Sequence, residues 1–576
     1  MLARLNSGDH GTSRSPRFDL RAPTDLFACN GGQIELSVGP HERRVRRPDF
    51  LAAWSHGDEQ LDGPAVPSTA SLRTGALIIA TGQGLLVSRG PYGGKPLYYR
   101  QQGDGGVVVS STLSAVVAEA GGSLPLDVEK LGCLALASAG NDPRSTVYHG
   151  VRRVLPCETI LFAIRHSRSS IHLPPIPTQS SGEVREHAAA LRDLLTLVVD
   201  EQVRRFHSLA VATGGGLDSG GLLALAVRAS RAQASGGRCT GLTMHYASDG
   251  DDRPHLEVLL AALGAETIRV TPAELTPLSL DSFVQDAAPV TWPTTPMERL
   301  AGDRARAWGA EAIISGCGGD QVLDGDDRSF VERVRRGDCG AIRDAARLRV
   351  PWSSSGPSRV TGLVLRPLLR PFIPGWVLAR RRREHVASRD ATAWAGPRLR
   401  PLMRPTIEPP IGSESWTSWF ACSPLMADAM DAAGQEECHS GLPQIDPYLD
   451  PRLVDLLASF PAEHLFAGDR QRGLYRLAME GILPDSLRFR CDKASFEPLV
   501  AETLRAAGGT EGAVPQLLTM EASADLGLVE PAAFRSAFTR VASNGSTQRG
   551  WLGVWPMLAV EAFLRTRSSG PASRAA

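Results

Sequence analysis

The segment Thr213-Gly214-Gly215-Gly216-Leu217-Asp218-Ser219-Gly220 stands directly after the apolar run SLAVA and, with only Gly221 between, before LLALAVRAS. No other feature limits the fold of this chain so strongly. Consecutive glycines at a strand-to-helix junction let backbone N–H groups turn inward around an oxyanion, and the helix N-terminus adds unsatisfied donors and a positive dipole end. Ser219 can donate to a phosphate oxygen. Asp218 cannot face a phosphate without an intervening cation, so a Mg²⁺ role suits it. The same letters also fit a glycine turn whose Asp and Ser merely cap the helix. The spacing is neither a Walker A loop nor a GxGxxG dinucleotide turn.

A second element narrows the choice. Ser315-Gly316-Cys317-Gly318-Gly319-Asp320 closes another apolar run, EAIIS. From residue 208 onward strand-like and helix-like runs alternate (SLAVA, LLALAVRAS, TGLTMHY, HLEVLLAALG, ETIRVTP, MERLAGDRARAWG, EAIIS), a spacing that predicts a parallel sheet with crossover helices. Ligands of such sheets sit at the carboxyl ends of the strands. Two glycine turns there would bring Asp218 and Asp320 onto one metal bound to a triphosphate.

Upstream, ALIIATG, GLLVSRG, PLYYRQQ and GVVVSST are short strand-like runs punctuated by Gly, Asp and Pro, which predicts a strand-rich N-terminal domain. The Pro/Ser stretch at 172–183 reads as a linker and places a boundary near 175. Residues 327–440 are Arg- and Pro-rich and read as an insertion of helices and loops. The Arg cluster at 380–383 reads as a solvated helix face, and 566–576 as a disordered tail. A formal net charge of +0 provides no global field for nucleic acid. No run of eighteen apolar residues suggests a membrane span, and nine scattered cysteines without CxxC pairs fit a reduced, cytoplasmic setting. Only Lys95, Lys130 and Lys493 are lysines among 62 basic residues.

The two glycine turns resemble the SGGxDS PP-loop and the downstream SGxGGD of the asparagine synthetase family. DPYLDPRLVDLLASFPAEHLF, RQRGLYRLAMEGILPDSL and RFRCDKASFEPL resemble that family's C-terminal blocks, and SRGPYGGKPLYY and GVRRVLPCETILF its glutaminase domain. The resemblance implies an α/β chain: a glutaminase-like, Ntn-type strand-rich sandwich over 1–175, then a doubly wound parallel-sheet PP-loop synthetase domain with a helical C-terminal portion over 185–565. It implies ATP and Mg²⁺ as cofactors. Gly215, Gly216, Asp218 and Ser219 would hold the pyrophosphate, Gly214, Gly318 and Gly319 would also contact the bound nucleotide, and Asp218 and Asp320 would hold the metal. Backbone at Leu242, Thr243, Ser315 and Gly316 would receive adenine and ribose, and Lys493 would stabilise the charge developing at the α-phosphate and the tetrahedral carbon. Lys95 lies in a structural block, and Arg472 and Arg476 read equally as phosphate-steadying or packing residues.

Departures from the family pattern shape the functional expectation. Glutamine-dependent relatives use a cysteine exposed as residue 1, whereas Leu2 follows the initiator here and the first cysteine is Cys29, so the N-terminal domain is expected to be a degenerate scaffold. The nitrogen nucleophile would then be an amine of the substrate. The Arg/Pro-rich insertion resembles lasso peptide macrolactam cyclases, which implies a ribosomal precursor (core) peptide as substrate, with a leader-peptide-binding protein and a leader peptidase as partners. A small-molecule β-lactam-synthetase-like ligase and a catalytically degenerate scaffold subunit stay open. Gly214 replaces the leading Ser of the PP-loop and Cys317 a Glu, so His245, Glu298 and Cys317 are base candidates by position only.

Overall fold

The computed structural model describes residues 76–568 apart from short segments, of which 103–106, 137–141, 247–251, 325–327, 350–354, 378–390, 404–419, 491–494, 508–513 and 544–549 are the longest; before residue 76 it describes only five backbone strands. The N-terminal region is a pair of five-stranded antiparallel sheets. One runs Val151–Arg153, Tyr98–Gln101, Val107–Ser110, Leu2–Asn6, Arg17–Arg21 in spatial order; the other runs His166–Ile171, Glu158–Ala163, Gly84–Arg89, Ala76–Thr81, Ala53–Trp54. Alternating apolar residues from both sheets, Ile78, Val87, Val107, Val109, Ile160 and Phe162, close the core between them, with Tyr99 packed 5.0 Å from Phe162.

The capping-box helix α1 (Val184–Arg205) leads into a five-stranded parallel sheet. Its strands are β1 (Ser208–Ala212), β2 (Arg238–Met244), β3 (Thr267–Val270), β4 (Ala312–Ile314) and β5 (Gln444–Ile445), in the order β3-β2-β1-β4-β5. β1 is the middle strand and reads SLAVA because both of its faces are covered. The crossovers are helices α2 (Leu217–Ala232), α3 (Arg253–Leu263) and α4 (Thr295–Trp308). Chain order reverses between β1 and β4, which makes their carboxyl ends the switch point where such sheets bind ligands.

Three elements depart from the sequence reading. Helix α5 (Pro424–Ser440), inside the stretch read as an insertion, packs against α4, and β5 adds a fifth strand where only helical patterning was expected. The C-terminal helix α6 (Gly550–Ser568) runs through residues expected to begin a tail. It buries Trp551, Trp555 and Phe563 in one cluster with Tyr98, Leu131 and Tyr148 of the N-terminal region. A shared apolar core of this kind makes the two regions one packed body. Among the described residues no helix is long and apolar enough to cross a membrane.

Candidate active site

The first glycine turn leaves β1 and becomes α2 with Gly216 at its N-cap. Gly215 has φ of +90°, and a Cβ there would lie 2.6 Å from the Asp252 carbonyl oxygen, so only glycine fits. Arg490 fixes the turn, donating to the Gly215 carbonyl (2.9 Å) and to Asp252 Oδ1 (2.6 Å). Gly214, by contrast, is exposed, with open space around its missing side chain. The serine of the family pattern would fit there sterically.

The second turn packs onto the first. A Cβ on Gly316 would touch Ser219 at 3.7 Å, and one on Gly319 would lie 3.1 Å from Asp218 Oδ2. Asp218 is the first-turn acid of α2 and Asp320 that of the short helix Gly319–Leu323, so both carboxylates arrive at helix N-termini. They meet on one cation of the chain itself: Arg472 donates Nη1 to Asp218 Oδ2 (2.5 Å), Nη2 to Asp320 Oδ1, and Nε to Asp324 Oδ1 (2.5 Å). Arg472 sits in the left-handed region at φ +59°, a conformation that a non-glycine residue keeps only where its surroundings hold it. Burial pushes the Asp218 carboxyl up to about 6 despite that guanidinium, with Asp320 and Asp324 adding to the rise. Its Oδ1 is enclosed without a hydrogen-bond partner among the described residues. From behind, the Tyr448 hydroxyl donates to the Asp218 carbonyl oxygen (2.9 Å) and shares a 2.7 Å hydrogen bond with Tyr475.

Two paired glycine turns at a sheet's switch point, each presenting an acid, agree with the comparison to known families. The asparagine synthase family model matches residues 190–565, and a glutamine amidotransferase domain model matches 76–171. The chain belongs to the asparagine synthase family. Members of this family use ATP to form amide bonds, and that general activity applies to this chain. Comparison with curated proteins finds no match.

Other residues singled out in the sequence fall as follows in this asparagine synthase family protein. Leu242 is buried on one face of β2, and Thr243, also buried, points to the opposite face as strand alternation requires, so the two side chains do not share a pocket. The Leu242 carbonyl is taken by Thr213 N–H (2.8 Å). The Ser315 hydroxyl donates to Asp446 Oδ1 (2.5 Å) and accepts from Cys317 N–H (3.0 Å), which fixes the second turn. Gly318 has φ of +85° and abuts Leu449. Lys493 lies within 491–494, outside the described residues. Lys95 pairs with Glu437, and Arg476 donates to the carbonyls of Gln471 and Arg488, so both hold structure. Of the base candidates, burial drives the Cys317 thiol far up and Glu298 is closed off by the Thr294 hydroxyl at 2.6 Å. The backbone N–H of His245 donates to the Val270 carbonyl.

Beside the strand ends lies a chamber of about 620 Å³. Its floor is Ala212, Leu242, Ser315 and Cys317; its far wall comes from Tyr98, Lys130 and Arg153 of the N-terminal region, and its side from Glu298, Arg299 and Glu436. Sequence reasoning missed Glu436, Asp446 and the triple clamp of Arg472. The DPYLD block, which holds both Asp446 and Tyr448, carried the family resemblance and with it a signal that this segment backs the site, though not a role for either residue.

Proposed function

We propose that the chain forms a macrolactam or isopeptide bond within a ribosomal precursor peptide. It would adenylate an Asp or Glu side-chain carboxylate, and the peptide's N-terminal amine would then displace AMP. The observation that carries the ligase chemistry is the meeting of Asp218 and Asp320 from two strand ends beside a chamber large enough for a substrate segment. The Arg/Pro-rich stretch supports a peptide over a small molecule: its helical run at Thr361–Phe372 leaves Leu365, Leu369 and Phe372 unusually exposed, Phe372 at 82%, an apolar face suited to an extended ligand.

Gly215, Gly216 and Ser219, with Gly318 and Gly319, would line the pyrophosphate. Backbone at Leu242, Thr243, Ser315 and Gly316 would take the nucleoside. The donor set suits Mg²⁺, because two carboxylates converge and Asp218 Oδ1 awaits a partner. Among the described residues no three acidic, His or Cys side chains complete a cage, so phosphate oxygens would supply the remaining ligands. When bound, the ion would neutralise triphosphate charge, and Arg472 would release the two aspartates to it. Lys493 would carry the charge developing in both chemical steps.

The test is incubation with Mg-ATP and linear peptides bearing a free N-terminus and one Asp or Glu, following AMP release and a product lighter by one water. Lys493→Ala should lower product formation by at least about 10²-fold while nucleotide affinity holds; wild-type turnover in that variant would refute the role. A second reading, a catalytically silent subunit, is favoured by Arg472, whose guanidinium already occupies the acid pair. No AMP from any peptide or amino acid would support it.

A further inference from the structure

The chamber wall holds a mismatch that no contact among the described residues fully resolves. Arg299 Nε and Glu436 Oε1 stand 3.5 Å apart, beyond the range of a strong charge-assisted hydrogen bond. Glu436 Oε2 and the Nε and Nη2 atoms of Arg299 are enclosed with no hydrogen-bond partner among the described residues. Among the described residues Arg299 also donates Nη1 to the Ser282 carbonyl (3.2 Å). A carboxylate and a guanidinium left this poorly matched cost stability, and a ligand bringing a donor and an acceptor would relieve the mismatch.

Most other charges around the chamber are engaged, although Arg153 Nη2 also lacks a hydrogen-bond partner among the described residues. Asp428 and Asp431 bind Arg153, Asp431 also binds Arg89, and Glu437 binds Lys95. Lys130 is a buried ammonium whose charged form burial disfavours. Glu298 and Arg299, both from α4, are the charged groups that face Glu436. Burial pushes the Glu436 carboxyl up to about 7, Arg299 opposing and Glu298 adding to the rise, which matches a base working near neutrality.

Resting on the proposed amide-forming reaction, we infer that this chamber seats the amine-bearing end of the substrate and that Glu436 receives the proton this amine loses. The nitrogen lone pair attacks the acyl carbon of the mixed anhydride and the C–N bond forms. The C–O bond to the phosphate breaks with its electron pair leaving on AMP, and the N–H proton passes to the Glu436 carboxylate. Arg299 is a positioning residue that holds this carboxylate at the wall.

Two arms test the assignment on the full chain. In the first, Glu436→Gln is given Mg-ATP and the peptides above. Pyrophosphate exchange, which reads adenylation and folding, should persist, while amide formation falls about 10²- to 10⁴-fold and its dependence on pH near 7 disappears. Hydroxylamine, uncharged at neutral pH and in no need of a base, should still trap the acyl group as hydroxamate in the variant. Amide formation at the wild-type rate would overturn the assignment. The second arm needs no peptide: methylammonium should raise the Tm of the wild type and not of Glu436→Gln, and identical titrations would overturn it. Absence of exchange in the wild type with every peptide sinks the peptide-substrate reading alone, since the methylammonium arm still decides on Glu436.

Discussion

Gly214 and Gly215 are neighbours with opposite requirements. At Gly215 a side chain would meet the Asp252 carbonyl in a left-handed backbone, whereas Gly214 opens to solvent. Gly215→Ala should therefore destabilise the chain by about 1–3 kcal/mol and remove pyrophosphate exchange, while Gly214→Ser leaves stability unchanged. Urea denaturation and exchange assays on the two variants check the contrast. The glycine run was legible in the sequence, but which glycine is indispensable was not, because the answer depends on Asp252 from a different loop. Arg472 shows the same limit: its spacing from the acids, 254 residues from Asp218, carries no signal in the chain.

At the level of elements, β4 and β5 are held in register by Ile313↔Gln444 and Ile314↔Ile445, and the side chains that follow them meet at Ser315 and Asp446. Burial pushes the Asp446 carboxyl up to about 6, with the hydrogen bonds from Ser315 and Gln444 opposing. A carboxyl whose folded value exceeds its ordinary 3.8 binds more protons in the native state than in the unfolded one, so its ionisation weakens the fold. Between about pH 4 and 6 stability should thus fall as pH rises, and Asp446→Asn should flatten that fall by on the order of 1 kcal/mol. Urea titrations of both proteins across this window decide it; equal slopes would remove Asp446 as the cause. The strands β1 to β4 were legible as apolar runs of the right length. β5 was not, since two residues give no periodicity and its pairing is set by its neighbour.

The whole molecule is joined by charge as well as by the apolar cluster around α6. Arg153, buried in the N-terminal region, reaches Asp428 (2.5 Å) and Asp431 (3.0 Å) of α5, and Arg89 reaches Asp431 (2.9 Å). Removing Arg153 takes a cation from Asp428, which is a third exposed, and leaves Asp431 with Arg89 alone, so Arg153→Met should cost about 1–3 kcal/mol, with partial recovery in the double variant carrying Asp428→Asn. Denaturant unfolding of the two single variants and the double measures it, and additive effects would show the pair to be uncoupled. The N-terminal region, whatever its own chemistry, is thus a wall of the chamber rather than a separate appendage. By itself the sequence determined the family, the strand–helix alternation and the two acid-bearing glycine turns, because these depend on local patterning and on residues adjacent in the chain. Only the tertiary structure decided that one arginine clamps both acids, that Asp446 anchors the second turn, and that Arg299 and Glu436 line a shared chamber. Each of those depends on segments tens to hundreds of residues apart, whose meeting is set by packing and burial rather than by any local signal.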